Sequence, residues 1–242
     1  MDAFYIVLFF IIGTIFGSFF GVVGGRLPEG ESIVTPRSNC NKCHHILKWY
    51  ELIPIFSYII QKGKCRICKA NIPILYPIIE LISGLLFAVS YFCFGFSKEL
   101  LIALCIVSFL GIVIVSDITY LIIPDEVTIF FSVLIILIKA ITFKFSDVIF
   151  SILSGILLFC IMYCIMILGN KIFKKETLGG ADIKLMFFVG LILPPSLGIF
   201  TIFVSSCIAL PISVFFLIRN KNSVIPYGPF ILMALFLIYC FY

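Results

Sequence analysis

From Ala3 to Gly25 the chain has no charged side chain. About twenty apolar residues in a row is the length at which a helix crosses the hydrocarbon core of a bilayer. Comparable apolar runs fall at 3–23, 73–95, 99–117, 124–142, 147–169, 183–193, 196–218 and 224–242. They predict an all-α polytopic membrane protein with about eight transmembrane helices. Hydrophobic residues make up 62% of the chain and charged ones 12%, against about half and a quarter in a soluble domain. The runs are continuous and do not alternate, which argues against a closed β-barrel. Pro194–Pro195 predicts a turn between a short sixth span and the seventh; one kinked helix is the competing reading. Only Met1 and Asp2 precede the first run, with no basic region before it and no small-x-small cleavage pattern after it. That run is expected to stay as the first span and not to act as a signal peptide.

Lysine and arginine set the expected orientation. Residues 24–72 hold Arg26, Arg37, Lys42, Lys48, Lys62, Lys64, Arg66 and Lys69; loop 170–181 holds Lys171, Lys174 and Lys175; loop 219–223 holds Arg219 and Lys221. With eight spans these loops share one face, the cytoplasmic one, and both termini lie outside. The opposite loops carry little beyond Lys98 and Lys144. The lipid surface accounts for the basic loops, and no nucleic acid is needed. The expected organisation is a first helix (1–23), a cytoplasmic insertion (24–72) and a membrane bundle (73–242).

The insertion carries two Cys-x-x-Cys knuckles, Cys40–Cys43 and Cys65–Cys68. Four thiolates at this spacing suit a tetrahedral structural Zn²⁺, whose binding would add folding energy to a segment with little core of its own. Disulfides are the alternative, disfavoured in a reducing compartment. His44 and His45 are expected at the surface. Cys93, Cys105, Cys160, Cys164, Cys207 and Cys240 lie in apolar runs, where cysteine behaves as a small hydrophobe, and no function is assigned to them.

Glu80, Asp117, Asp125, Glu126 and Asp182 are acids in or beside predicted spans, and an acid there needs a reason. Asp125 and Glu126 follow Pro124 and suit the first turn of a helix. Asp117 ends one apolar run, and Asp182 opens another behind Gly179–Gly180. Both are expected at the cytoplasmic end of a span, where they can face each other. Two close carboxylates share one proton. The ionised one then draws a proton from water while the other protonates a scissile carbonyl oxygen, which is acid–base peptide hydrolysis. The glycine pair would let a substrate strand approach closely. The alternative is two unrelated aspartates at separate helix ends.

Several longer motifs resemble those of the bacterial type IV prepilin peptidases, membrane aspartic proteases that also act as N-methyltransferases. "FGSFFGVVGGRLP" (16–28) is similar to the exit of that family's first span. "PRSNCNKCHHILKWYELIPIFSYIIQKGKCRICKANI" (36–72) resembles its zinc-binding segment, and "YPIIE" (76–80) follows. "DITYLIIPD" (117–125) resembles its first aspartate motif and "GGADIKL" (179–185) its Gly-x-Gly-Asp motif. The resemblance implies Asp117 and Asp182 as the catalytic pair and Cys40, Cys43, Cys65 and Cys68 as zinc ligands. It also implies prepilins or pseudopilins as substrates, cut after a leader glycine at the cytoplasmic face of the bacterial inner or cytoplasmic membrane. The exposed amine would then be methylated with S-adenosylmethionine as donor.

Glu80, with Arg26, is the candidate for the methyl-transfer step, binding the substrate amine. The alternative is a salt bridge from Glu80 to Arg26 or Arg37 that fixes the insertion on the bundle. Trp49, Tyr50 and Tyr76 are expected as interface or packing aromatics. Two positions depart from the family pattern: Ala181 replaces the second motif glycine, and Gly21 replaces an asparagine in the part associated with methyl transfer. A φ > 0 requirement at Ala181 would be strained. Three other readings are a peptidase without methyl transfer, a zinc-knuckle membrane adaptor with no chemistry, which would tolerate loss of both aspartates, and a proton-coupled transporter; the absence of an evident inverted repeat counts against the transporter.

Overall fold

The computed structural model describes residues 2–40, 42–174, 179–219 and 226–242. Its helices are α1 (Asp2–Arg26), α2 (Phe56–Ile60), α3 (Leu75–Phe94), α4 (Lys98–Tyr120), α5 (Asp125–Thr142), α6 (Phe145–Phe173), α7 (Gly180–Ile192), α8 (Pro195–Arg219) and α9 (Gly228–Phe241). Extended pairing among the described residues is limited to two isolated bridges, Asn39 with Ile46 and Lys64 with Asn71. Every helix but α2 occupies one of the predicted apolar runs. The boundaries move: α1 runs on to Arg26, and α9 starts at Gly228. Positions 224 and 225, where the last span was expected to begin, lie outside the described residues, as do Lys175 and Lys221 of the basic loops.

Among the described residues five helices, α1, α3, α4, α6 and α8, are long and apolar enough to cross a membrane. The remaining three of the eight expected spans fall on α5, α7 and α9, which do not meet that measure. α5 carries Asp125, Glu126 and Lys139. α7 has 13 residues and α9 has 14, giving lengths of about 20 and 21 Å at 1.5 Å per residue, well short of a hydrocarbon core about 30 Å thick. The Pro194–Pro195 pair does make a turn. Leu193, ahead of Pro194, is extended at φ −105°, ψ 152°, as a residue preceding proline prefers, and α8 starts afresh at Pro195.

α4 is the central helix. Ile102, Ala103, Ile106, Val107, Phe109, Leu110 and Val113 are buried against the surrounding elements. Small residues let the outer helices close on it and on each other. A Cβ built at Gly17 of α1 would lie 2.8 Å from the Glu80 Cα on α3, and one at Gly190 of α7 would lie 2.6 Å from the Gly155 Cα on α6. Lys139 of α5 holds the far end of α7, donating to the carbonyls of Leu191 (2.7 Å) and Ile192 (3.4 Å) and to Ser151 Oγ (2.8 Å). That places a cation at a helix C-terminus, where it is favoured. Beyond that end lies a cavity of about 440 Å³, lined by Glu99, Lys139, Phe143, Asp147, Pro194 and Tyr239 among others.

Up-and-down connectivity brings the start of α5, α7 and α9 and the end of α4 to the side that carries the insertion. Tyr120, the last residue of α4, donates to the carbonyl of Gly25 (3.0 Å) and to Glu29 Oε1 (2.8 Å) beyond the end of α1.

Candidate active site

Asp117 lies one turn before the end of α4 and is buried at 7% exposure. Leu121 closes the helix in the left-handed region at φ 56°, its N–H returning to the Asp117 carbonyl. The chain then runs through Pro124 into α5. Asp182 is in the first turn of α7 and half-buried. Asp117, near the end of α4, and Asp182, in the first turn of α7, stand on the same side of the bundle, near enough for the charge of Asp117 to act on Asp182. The starts of α5, α7 and α9 gather on this side, and helix N-termini carry partial positive charge. One contact is direct: the Gly228 N–H donates to Asp117 Oδ2 at 3.1 Å.

Gly179 caps α7 at φ −70°, and Gly180 and Ala181 are its first two residues. Neither Gly180 nor Ala181 has positive φ, so Ala181 sits without strain. A Cβ at Gly180 would meet nothing within 4 Å, so the approach to Asp182 is open there. Asp125 starts α5 as expected, and it also forms an exposed ion pair with Lys184 of α7 at 2.6 Å. The sequence hinted at that pair only through a lone lysine in an apolar run.

In the insertion the two knuckles repeat one geometry. The Cys40 N–H donates to the His45 carbonyl and the Cys65 N–H to that of Ala70, while the His44 and Lys69 N–H groups return to Cys40 and Cys65. His44 and Lys69, each following the second cysteine of its knuckle, are left-handed at φ 55° and 58°. The four sulfurs lie within 4.8 Å of one another, with Cys40–Cys68 at 3.7 Å and Cys43–Cys65 at 3.9 Å. A tetrahedron with Zn–S bonds of about 2.3 Å has edges of about 3.8 Å. Cys40, Cys43, Cys65 and Cys68 therefore fit a zinc ion. All four are free thiols. The backbone N–H groups of Cys43 and Lys42 lower the Cys40 thiol, while against the His45 N–H that of Cys43 is raised by desolvation and the neighbouring sulfurs, as for thiols that share one charge. The other six cysteines are free thiols on α3, α4, α6, α8 and α9.

Glu51 was not singled out in the sequence, yet its side chain is 2% exposed. It accepts from the Lys48 N–H at 2.9 Å, contacts His45 Nε2 at 3.3 Å and lies 3.8 Å from Arg66. His45 is thus half-buried and partnered, contrary to the surface position expected for it; His44 is exposed. Arg66 also stacks over the Tyr50 ring at 4.9 Å, and Trp49 is exposed.

Glu80 is buried on α3, and its Oε2 accepts from the Ile55 N–H at 2.6 Å. Ile55 has φ 62°, a rare conformation for a β-branched residue. Glu80 thus anchors the insertion through a backbone N–H, and the expected pairing with Arg26 or Arg37 is corrected. Arg26 donates to the carbonyls of Ser32 (3.1 Å) and Pro36 (2.9 Å). The Tyr76 ring packs against Gly21, with its Cδ1 3.0 Å from where a Cβ would be.

Two family models match the chain: the Bacterial Peptidase A24 N-terminal domain over residues 11–94 and the Type IV leader peptidase family over residues 102–214. Among curated proteins the chain is similar to a prepilin leader peptidase/N-methyltransferase of Myxococcus xanthus (strain DK1622). The identity is 36% over 186 residues, covering 76% of this chain and 55% of the relative. To that of Bacillus subtilis (strain 168) it is 45% identical over 124 residues, covering 51% of this chain and 50% of the relative. These matches span about half the length of either relative. With the protein of the same name from Klebsiella pneumoniae the identity is 30%, covering 75% of this chain and 82% of the relative. No solved structure matches the chain. Two adjoining family models that match in order, together with relatives that agree in name, lead to one conclusion: the chain belongs to the prepilin leader peptidase/N-methyltransferase family.

Proposed function

We propose that this chain is a peptidase of the bacterial inner or cytoplasmic membrane that removes the leader of type IV prepilins or pseudopilins after glycine, with Asp117 and Asp182 as its catalytic pair. The observation that supports this reading is that the two aspartates stand at the ends of α4 and α7 on one side of the bundle, in the motifs the family carries there. One carboxylate takes a proton from water as the oxygen attacks the scissile carbonyl carbon, and the other gives its proton to the carbonyl oxygen. As the tetrahedral adduct collapses, the first returns its proton to the leaving nitrogen and the second recovers one from the adduct hydroxyl. Water is consumed and both carboxyls are restored. The basic insertion supports a cytoplasmic position for this face. Cys40, Cys43, Cys65 and Cys68 would hold a structural Zn²⁺ that braces the insertion.

The new amine is then N-methylated, with S-adenosylmethionine as the donor that supplies the methyl group. Glu80 and Arg26 hold the insertion through the bonds to Ile55, Ser32 and Pro36. Methyl transfer is proposed on family membership, with no residue assigned to the donor. A peptidase without methyl transfer is the second reading. It is favoured by Gly21, where the Tyr76 ring occupies the space a side chain would need.

Co-expression with a prepilin followed by mass analysis of the pilin separates these readings. Asp117→Asn and Asp182→Asn should each leave the leader on, with membrane abundance and bound zinc unchanged. Cleavage at the unaltered rate by either variant removes that residue from the pair. Mature pilin heavier by one methyl group supports both activities; a free amine in the presence of S-adenosylmethionine leaves the peptidase alone.

A further inference from the structure

The first turn of α9 has few free donors. Pro229 has no N–H, and the N–H groups of Phe230 and Ile231 return to the Tyr227 carbonyl at 3.1 and 3.3 Å. That leaves the Gly228 N–H, which reaches Asp117 Oδ2 at 3.1 Å across 111 residues of sequence. The turn is itself pinned: the Tyr227 hydroxyl lies 2.7 Å from Ser205 Oγ and 2.9 Å from Ser206 Oγ on α8. A Cβ at Gly228 would stand 3.1 Å from the same Asp117 Oδ2, 2.7 Å from Ile123 Cδ1 and 3.2 Å from Val113 Cγ1. The position both supplies a donor and requires the smallest residue.

We propose that Gly228 is a positioning residue of the peptidase site. Its N–H fixes the Asp117 carboxylate through Oδ2 and leaves Oδ1 to face the attacking water, and its missing side chain keeps α9 close enough to do so. This rests on the reading of Asp117 as catalytic. Among the described residues the donor to the Asp117 carboxylate is the Gly228 N–H, at Oδ2. Fixing a reacting group in one orientation acts on the chemical step more than on substrate binding.

The test uses full-length protein in membranes with a prepilin substrate. Gly228→Ala keeps the N–H but forces α9 away from Asp117, and it should lower kcat by at least about tenfold with KM little changed. Ile123→Val removes the Cδ1 that the new Cβ would meet first, so it separates crowding in the core from displacement of the carboxylate. Alone it should cleave normally. In the Gly228→Ala/Ile123→Val double variant the Ile123 contact is gone while the Cβ still stands 3.1 Å from Asp117 Oδ2, so it should accumulate and bind zinc as the unaltered protein does, yet keep the kcat loss. Recovery of kcat in the double variant, or a loss confined to KM, overturns the proposal. Asp117→Asn run alongside keeps the two ideas apart: normal cleavage by that variant removes the catalytic reading, whereas normal cleavage by the double variant removes only the role of Gly228.

Discussion

At the scale of single residues, the buried acids of this chain divide by what reaches them. Asp117 receives a backbone N–H from α9, Glu80 receives one from Ile55, and Glu51 is surrounded by Lys48, His45 and Arg66. For Glu51, burial alone would raise the carboxyl, but the Lys48 N–H together with His45 and Arg66 outweighs it and holds the group below its ordinary value. A carboxylate depressed in the folded state stabilises the fold above its unfolded value, and that contribution is lost as pH falls through the folded value. Glu51→Gln should therefore destabilise the insertion by about 1–3 kcal/mol near neutrality and flatten the acid side of its stability curve below about pH 4. Denaturation midpoints across pH measure this, and identical curves for the two proteins would remove Glu51 from the network. Sequence reasoning passed over Glu51 because nothing local marks it. Lys48 and His45 are near it in sequence, but its burial and its approach to Arg66 depend on the second knuckle folding back, just as Lys184 meets Asp125 only across 59 residues.

At the scale of elements, what was legible depended on how local the signal was. The cysteine pairs were readable because a knuckle is made within a few residues, and the repeated left-handed turns at His44 and Lys69 confirm the local logic. The aspartate pair was readable because each sits in its own motif. The support from α9 was not, since Tyr227–Gly228–Pro229 reads as an ordinary helix start until its position against α4 is known. The short α7 was legible from Pro194–Pro195, whereas the length of α9 escaped the apolar count, because hydropathy registers composition and says little about where a helix starts. The insertion gives the clearest prediction at this scale. Purified protein should carry about one Zn²⁺ per chain. Cys40→Ser should lower that content and increase protease sensitivity across 27–74, while α3 and α4 stay protected. Full zinc content in the variant would show that Cys40 is not a ligand.

At the scale of the molecule, the carboxylates and the 440 Å³ cavity open from opposite ends of the same short helices. The side chains between them include Phe109, Phe188 and Phe236, all fully buried, with Phe109 and Phe188 in edge contact at 4.8 Å. Such a bundle sits between two aqueous compartments held at different voltage. With the apolar slab thinned from both sides, those rings would be the part of it that blocks ions, a consequence of packing that can be tested apart from any chemistry. Phe188→Ala would open a void there, at a stability cost of about 3–5 kcal/mol. Proteoliposomes holding this variant should dissipate an imposed pH gradient faster than those holding the unaltered protein. Equal leak rates would mean that the neighbouring helices close the gap, and that the seal is a property of the bundle and not of the ring.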